Sequence, residues 1–320
     1  MMKVIGIDEI TYGANDFDTC KKFFSDWGLS LTNESASKLV FSTLNGCRVN
    51  VVREDDTAYP EPIESGPTLR EVVWGVSSPD VVAEFAQRLA TVAGYRNENG
   101  RVSCIDPTGM LVSFQLTQKK EIEVECGESN TWNSKPRRNA PSPIYDRAYP
   151  IEVGHVVFFV KDLEAVEKFY VENFGFVPSD RYPGRGVFLR CDPDGGHHDL
   201  FLLQTPDKKV GLNHVAFAVR DIHEVFGGGL HFDRCGWKTQ LGPGRHPISS
   251  AYFWYFVNPA GGLIEYYADE DQLDENWQPR EFEPAPTRFA EWAVDGGLDG
   301  HTRRQKNADA PEGKFLTDRK

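Results

Sequence analysis

The strongest constraint on this chain is that it resembles itself. Asp8–Asp18 and Gly154–Glu164 are both strand-like runs that end in a polar-Asp-apolar turn, and both lead into a helical stretch with an aromatic pair, Phe23-Phe24 and Phe169-Tyr170. Each then reaches an aromatic-Gly step, Trp27-Gly28 and Phe174-Gly175. Further along, Glu71–Val76 matches His214–Val219 and Asp106–Phe114 matches Asn258–Tyr266. Each half therefore reads as strand, helix and several strands, repeated within itself, and self-similarity on this scale decides architecture before any local propensity does.

The copies differ in chemistry. All eight histidines lie at or after position 155, so any imidazole chemistry belongs to the second half. A length of 320 residues accommodates two ordinary domains or one large one. The expected division is an N-terminal domain over 1–135, a linker over 136–150, a metal-binding domain over 151–270 and a polar tail or lid over 271–320. A net charge of -13 argues against a nucleic-acid surface, which needs clustered Lys and Arg. Apolar stretches such as Ala251–Val257 fall far short of the about 20 residues of a membrane span. With no apolar leader at the N-terminus, the chain is expected to be cytoplasmic. The six cysteines are scattered without a C-x-x-C pair, so they are expected to be reduced and mostly structural.

Laid onto the repeat, three polar residues fall at equivalent places: His155 in Gly-His-Val-Val-Phe-Phe, His214 in Asn-His-Val-Ala-Phe and Glu265 in Leu-Ile-Glu-Tyr-Tyr. Their first-half counterparts are Glu9, Glu71 and Ser113. A polar residue among Val, Phe and Ile on a buried strand must point into a site or find a partner. Any one of these histidines read alone is a hydrogen-bonded core residue. Together with Glu265 they make the two-imidazole, one-carboxylate facial set that suits non-haem Fe(II). Mn(II) fits the same ligands. One metal per chain, in the second half, is the expectation.

The stretch Gly242–Glu265, with His246, Tyr255, Pro259, Gly261 and Glu265 in order, resembles the signature of the type I extradiol ring-cleaving dioxygenases of the vicinal oxygen chelate superfamily. The resemblance covers about residues 5 to 268. It departs at Trp254, where the pattern has an aliphatic residue or Phe, and a reshaped pocket wall is expected there. It implies an α+β fold of two domains, each of paired βαβββ modules, with the first domain vestigial and free of metal. It also implies Fe(II) on His155, His214 and Glu265, O2 as co-substrate, a catechol as small-molecule partner, a 2-hydroxymuconic-semialdehyde-type product, and a homo-oligomer.

Site roles follow from the same resemblance. His198 matches the catalytic acid/base, while His246 and Tyr255 match a pair that hydrogen-bonds the substrate hydroxyls. His197 is expected to be exposed or bonded to backbone, and His197→Asn to be close to wild type. His223, His231 and His301 are assigned to surface or packing roles. Arg245, Arg303 and Arg304 are candidates for recognising a carboxylated catechol, whereas Tyr252, Phe253 and Trp254 suit a bulky hydrophobic one. Two alternatives stay open: another vicinal oxygen chelate metalloenzyme, or a metal-free small-molecule binding protein.

Overall fold

The computed structural model describes residues 3–284 and 286–295. The first half contains β1 (Val4–Gly13), α1 (Phe17–Asp26), β2 (Ser30–Glu34), β3 (Lys38–Ser42) and β4 (Arg48–Val52), followed by β5 (Thr68–Val76), α2 (Pro79–Arg88), β6 (Arg96–Glu98), β7 (Arg101–Ile105) and β8 (Leu111–Leu116). The second half repeats the plan with β9 (Glu152–Phe159), α3 (Leu163–Phe174), β10 (Val177–Tyr182), β11 (Gly186–Arg190), the two-residue β12 (Gly195–Gly196) and β13 (Leu200–Leu203). Then come β14 (Gly211–Ala218), α4 (Ile222–Arg234), β15 (Thr239–Arg245), β16 (Tyr252–Val257) and β17 (Leu263–Ala268). The fold is α+β, built from four βαβββ units. Residues 117–151 carry neither helix nor strand.

The Asp-bearing turn of the repeat has a physical job. Asp16, Asp162 and Asp221 each accept a hydrogen bond from the backbone N–H three residues on, capping α1, α3 and α4. Such caps satisfy one of the donors a helix start leaves orphaned. In the remaining unit Pro79 opens α2 instead, where its missing N–H costs nothing.

Each half forms one sheet, in the orders β2-β3-β4-β1-β5-β8-β7-β6 and, through its centre, β10-β11-β13-β9-β14-β17-β16-β15. The first strands of the two units pair antiparallel, β1 with β5 and β9 with β14. Each of these pairs in parallel with the last strand of its own unit.

Downstream of β17 the expected tail is partly built into the fold. β18 (Gln272–Leu273) pairs with β12, β19 (Arg280–Glu281) with β10, and β20 (Trp292–Asp295) with β15, with the short α5 (Pro286–Phe289) between the last two. Backbone groups on both edges of the sheet are thereby paired by strands from the region read as a tail or lid. No helix among the described residues is long and apolar enough to cross a membrane.

The halves share one apolar core. Helix α1 of the first half packs against the second half's sheet: Trp27 stacks on Tyr266 with ring centroids 3.4 Å apart, and Phe23 meets Phe232 edge-on. Helix α3 repays the exchange, with Phe174 against Phe85 and Phe114 of the first half. The Tyr170 hydroxyl donates to the buried Asp106 carboxylate at 2.9 Å. The six cysteines are free. Replacing a fully buried aromatic by Ala costs about 3–5 kcal/mol, so Trp27→Ala should lower stability by that order, with both halves losing structure in one denaturant transition. A biphasic curve in which the second half keeps its wild-type midpoint would show that the shared core does not couple them.

Candidate metal centre

Pairing register assembles the site. His155 on β9 lies opposite Ala216 on β14, Ala216 opposite Glu265 on β17, and Glu265 opposite Tyr255 on β16. Directly opposed residues share a face, so His155, Glu265 and Tyr255 form a row, with the small Ala216 leaving room between them. His214, two residues from Ala216, joins the same face because strand side chains alternate with a period of two.

The donor atoms converge. His155 Nε2 and His214 Nε2 are 3.3 Å apart, and each is 3.2 Å from Glu265 Oε2. Donors about 2.1 Å from one cation at right angles to each other stand about 3 Å apart, so the triangle has the dimensions of a facial ligand set. All three side chains are buried. Glu265 Oε2 and His155 Nδ1 have no hydrogen-bond partner, and a buried carboxylate oxygen facing two imidazoles is costly unless a cation serves it.

Electrostatics suit the same purpose. Burial, with His198 alongside, pushes His155 down to about 3, so its imidazole is neutral and its lone pair available. Burial alone would raise Glu265, but the facing imidazoles of His155, His214 and His246 outweigh it and hold the carboxyl well below its usual range. His214 Nδ1 lies 2.8 Å from Asn213 Oδ1, the kind of outer contact that fixes a ligand's tautomer. Gly154 precedes His155 because Tyr267 fills the space a Cβ would need, and the Tyr267 ring packs beside the imidazole with centroids 5.0 Å apart.

All six residues singled out from the sequence line one small cavity: His155, His198, His214, His246, Tyr255 and Glu265. The His246 Nδ1–H donates to the Phe289 carbonyl at 2.6 Å, so Nε2 accepts from the Tyr255 hydroxyl at 3.0 Å. His198 stacks against His155 with centroids 4.1 Å apart, and its Nδ1 lies 3.2 Å from Glu270 Oε1. Burial pushes Glu270 up to about 7.

Some expectations are corrected. His197 is completely buried and bonded to the Asp180 carboxylate and to His198, not to solvent or backbone. Both imidazoles turn inward because they lie in a bend before β13 begins, where strand alternation does not apply. Trp254 is no pocket wall: one residue from Tyr255, it points to the opposite face, where its ring lies against Gly229 of α4. Arg245 is paired with Glu291 at 2.6 Å. His223 and His231 sit on α4, away from the site. His301, Arg303 and Arg304 lie outside the described residues. Reasoning from sequence missed Asn213, Glu270, Asp180 and Phe289, and of these only Asn213, adjacent to a ligand, carried a local signal.

The first-half counterparts superimpose by register: Glu9 opposes Val73, Val73 opposes Ser113, and Glu71 lies two residues from Val73. There the positive charge comes from side chains. Arg48 reaches Glu9 at 2.5 Å, Arg101 reaches Glu9 at 3.3 Å and Glu71 at 3.4 Å, and Ser113 donates to Glu71. Removing one partner of a buried ion pair costs about 3–5 kcal/mol. Arg101→Met should therefore destabilise the protein by about 3 kcal/mol in chemical denaturation, and a neutral result would show that the guanidinium is not what these carboxylates require.

Residues 152–266 match the family model of the Glyoxalase/Bleomycin resistance protein/Dioxygenase superfamily. Metapyrocatechase 2 of Cupriavidus necator is 28% identical over 209 residues, 63% of this chain and 62% of that relative. An iron-dependent extradiol dioxygenase of Rhodococcus jostii is 31% identical over 147 residues, 40% of this chain and 47% of the relative. The chain thus spans less than two thirds of the length of these curated relatives. In fold, the Mn(II)-bound glyoxalase from Novosphingobium aromaticivorans superimposes with a TM-score of 0.74 at 23% identity, covering 93% of this chain and 94% of that one. The segment that matches this superfamily's model is thus the one that holds the three convergent donors, and the chain is similar to metapyrocatechase 2 and to an iron-dependent extradiol dioxygenase.

Proposed function

We propose that the protein is an extradiol dioxygenase that opens a catechol beside its diol, using a metal held by His155, His214 and Glu265. The observation that carries this reading is the buried triangle of donor atoms with Glu265 Oε2 otherwise unpartnered. Fe(II) is the proposed metal, with Mn(II) as the alternative the same ligands accept. When bound, the metal would supply a positive centre that chelates both vicinal oxygens and brings dioxygen beside them.

The chain's own residues do the rest. His198 lines the cavity as a neutral imidazole, because burial pushes it well below its ordinary value. It can therefore take a proton from a substrate hydroxyl and return it later. His246 and Tyr255 form a fixed hydrogen-bonded pair at the rim, positioned to hold substrate oxygens without reorganising. One C–C bond of the ring breaks and both oxygen atoms of O2 enter the product.

An adjoining cavity of ≈ 440 Å³ shares His214, Tyr255, Tyr182, Phe201 and Phe289 with the metal centre. Its remaining wall is mainly apolar, with Val157, Phe159, Leu203, Leu241 and Leu263, and Arg185 is the one full charge among its described lining residues. This volume and lining suit a catechol carrying a bulky apolar substituent better than a carboxylated one.

Three outcomes test this. His155→Ala, His214→Ala and Glu265→Ala should each lose tightly bound metal and ring cleavage together, while the wild-type chain retains one ion by elemental analysis. A second ion retained in residues 1–135 would contradict the assignment. His198→Asn should keep its metal and turn over roughly 100-fold more slowly. Across a catechol panel followed by oxygen uptake and the yellow product, kcat/KM should be at least about tenfold, roughly 1.4 kcal/mol, higher for alkyl or aryl catechols than for carboxylated ones. Metal binding with no oxygen uptake on any catechol would favour a glyoxalase-like enzyme, and failure to bind metal a small-molecule binding protein.

A further inference from the structure

Behind His198 lies a buried chain of polar side chains that the proposed chemistry does not use directly. Arg280, on β19, grips Asp180 on β10: its Nη2 donates to Oδ2 at 2.6 Å, its Nε lies 3.2 Å from both carboxylate oxygens, and its backbone N–H donates to Oδ1 at 2.8 Å. Asp180 Oδ2 in turn lies 2.9 Å from His197 Nε2, and His197 Nδ1 lies 3.2 Å from His198 Nδ1. Neither Asp180 nor His197 has any solvent exposure, so each polar atom must be matched as donor to acceptor.

Matching fixes the protons one after another. A carboxylate gripped by a guanidinium can only accept, so His197 Nε2 carries the hydrogen. In a neutral His197 the Nδ1 is then a lone pair, and the contact between the two Nδ1 atoms requires His198 Nδ1 to donate. Glu270 Oε1 lies 3.2 Å from the same nitrogen and has no hydrogen-bond partner of its own. The remaining nitrogen, His198 Nε2, has no hydrogen-bond partner among the described residues.

We propose that Asp180 and His197 are positioning residues that lock His198 in the tautomer with its proton on Nδ1 and its lone pair on Nε2, the nitrogen left free for substrate. The inference rests on the reading of His198 as the proton carrier. In the transfer, the substrate O–H bond breaks and an N–H bond forms at Nε2, while the Nδ1–H keeps its acceptor on His197. An Asp–His pair that sets the tautomer of a catalytic base is a recurrent device. Burial opposes ionisation of Asp180, yet the hydrogen bonds from His197 and Arg280 hold its carboxyl below the usual range, as an acceptor-only role requires.

The test reads the tautomer itself. Long-range nitrogen–proton NMR of the full chain, zinc-loaded to stay diamagnetic and again without metal, should show His198 with a protonated Nδ1 and a bare Nε2. Asp180→Asn can present an amide donor to His197 and should invert that assignment. The same variant, iron-loaded, should lose about 10–100-fold in kcat, with KM and metal content within twofold of wild type. A wild-type His198 protonated on Nε2 would overturn the proposal, even if Asp180→Asn fails to fold. So would an Asp180→Asn protein that slows turnover without changing the tautomer. The NMR result stands whether or not any catechol is cleaved, so failure of the relay and failure of the proposed function remain separate findings.

Discussion

Everything chemical in this molecule depends on strand register. His155, Ala216, Glu265 and Tyr255 are aligned across β9, β14, β17 and β16, and a slip of one residue in any of these strands would turn its side chains to the other face. The slip would also move Trp254, Phe256 and Tyr266 out of the apolar core they help build. Packing on one face of the sheet therefore fixes donor placement on the other. The interleaved helices reinforce this, because Trp27 of the first half lies flat on Tyr266, the residue after Glu265, and its carbonyl accepts from that phenol at 2.6 Å.

The duplication shows what a metal-type framework becomes when its donors change. Two carboxylates and a hydroxyl occupy the first-half positions, where Arg101 bridges Glu9 and Glu71 and Arg48 pairs with Glu9. A guanidinium bridges two carboxylates with hydrogen bonds in fixed directions and leaves no open position for a substrate. The first half meanwhile shares its apolar core with the second.

Much of the site was legible because the repeat converts sequence position into spatial position. Once Glu9, Glu71 and Ser113 are aligned with His155, His214 and Glu265, the pairing of β14 with β9 and β17 brings the three donors together. The reading failed where that translation stops. His197 and His198 sit in a bend, so adjacency in sequence did not put them on opposite sides. Asp180 and Arg280 are a hundred residues apart and meet only because β19 adds to the edge of the sheet, in a region whose composition suggested a solvated tail. Trp254 was misplaced although alternation from Tyr255 would have assigned its face. Arg101 had no counterpart to mark it.

The late strands set an order of events during synthesis. A chain emerging from the ribosome folds from its N-terminal side, and His155, His214 and Glu265 are all available once β17 is out. The Arg280 grip on Asp180 and the Phe289 carbonyl that orients His246 belong to segments made afterwards. A nascent chain can thus bring its three convergent donors together before Asp180 and His246 have the later partners that orient them.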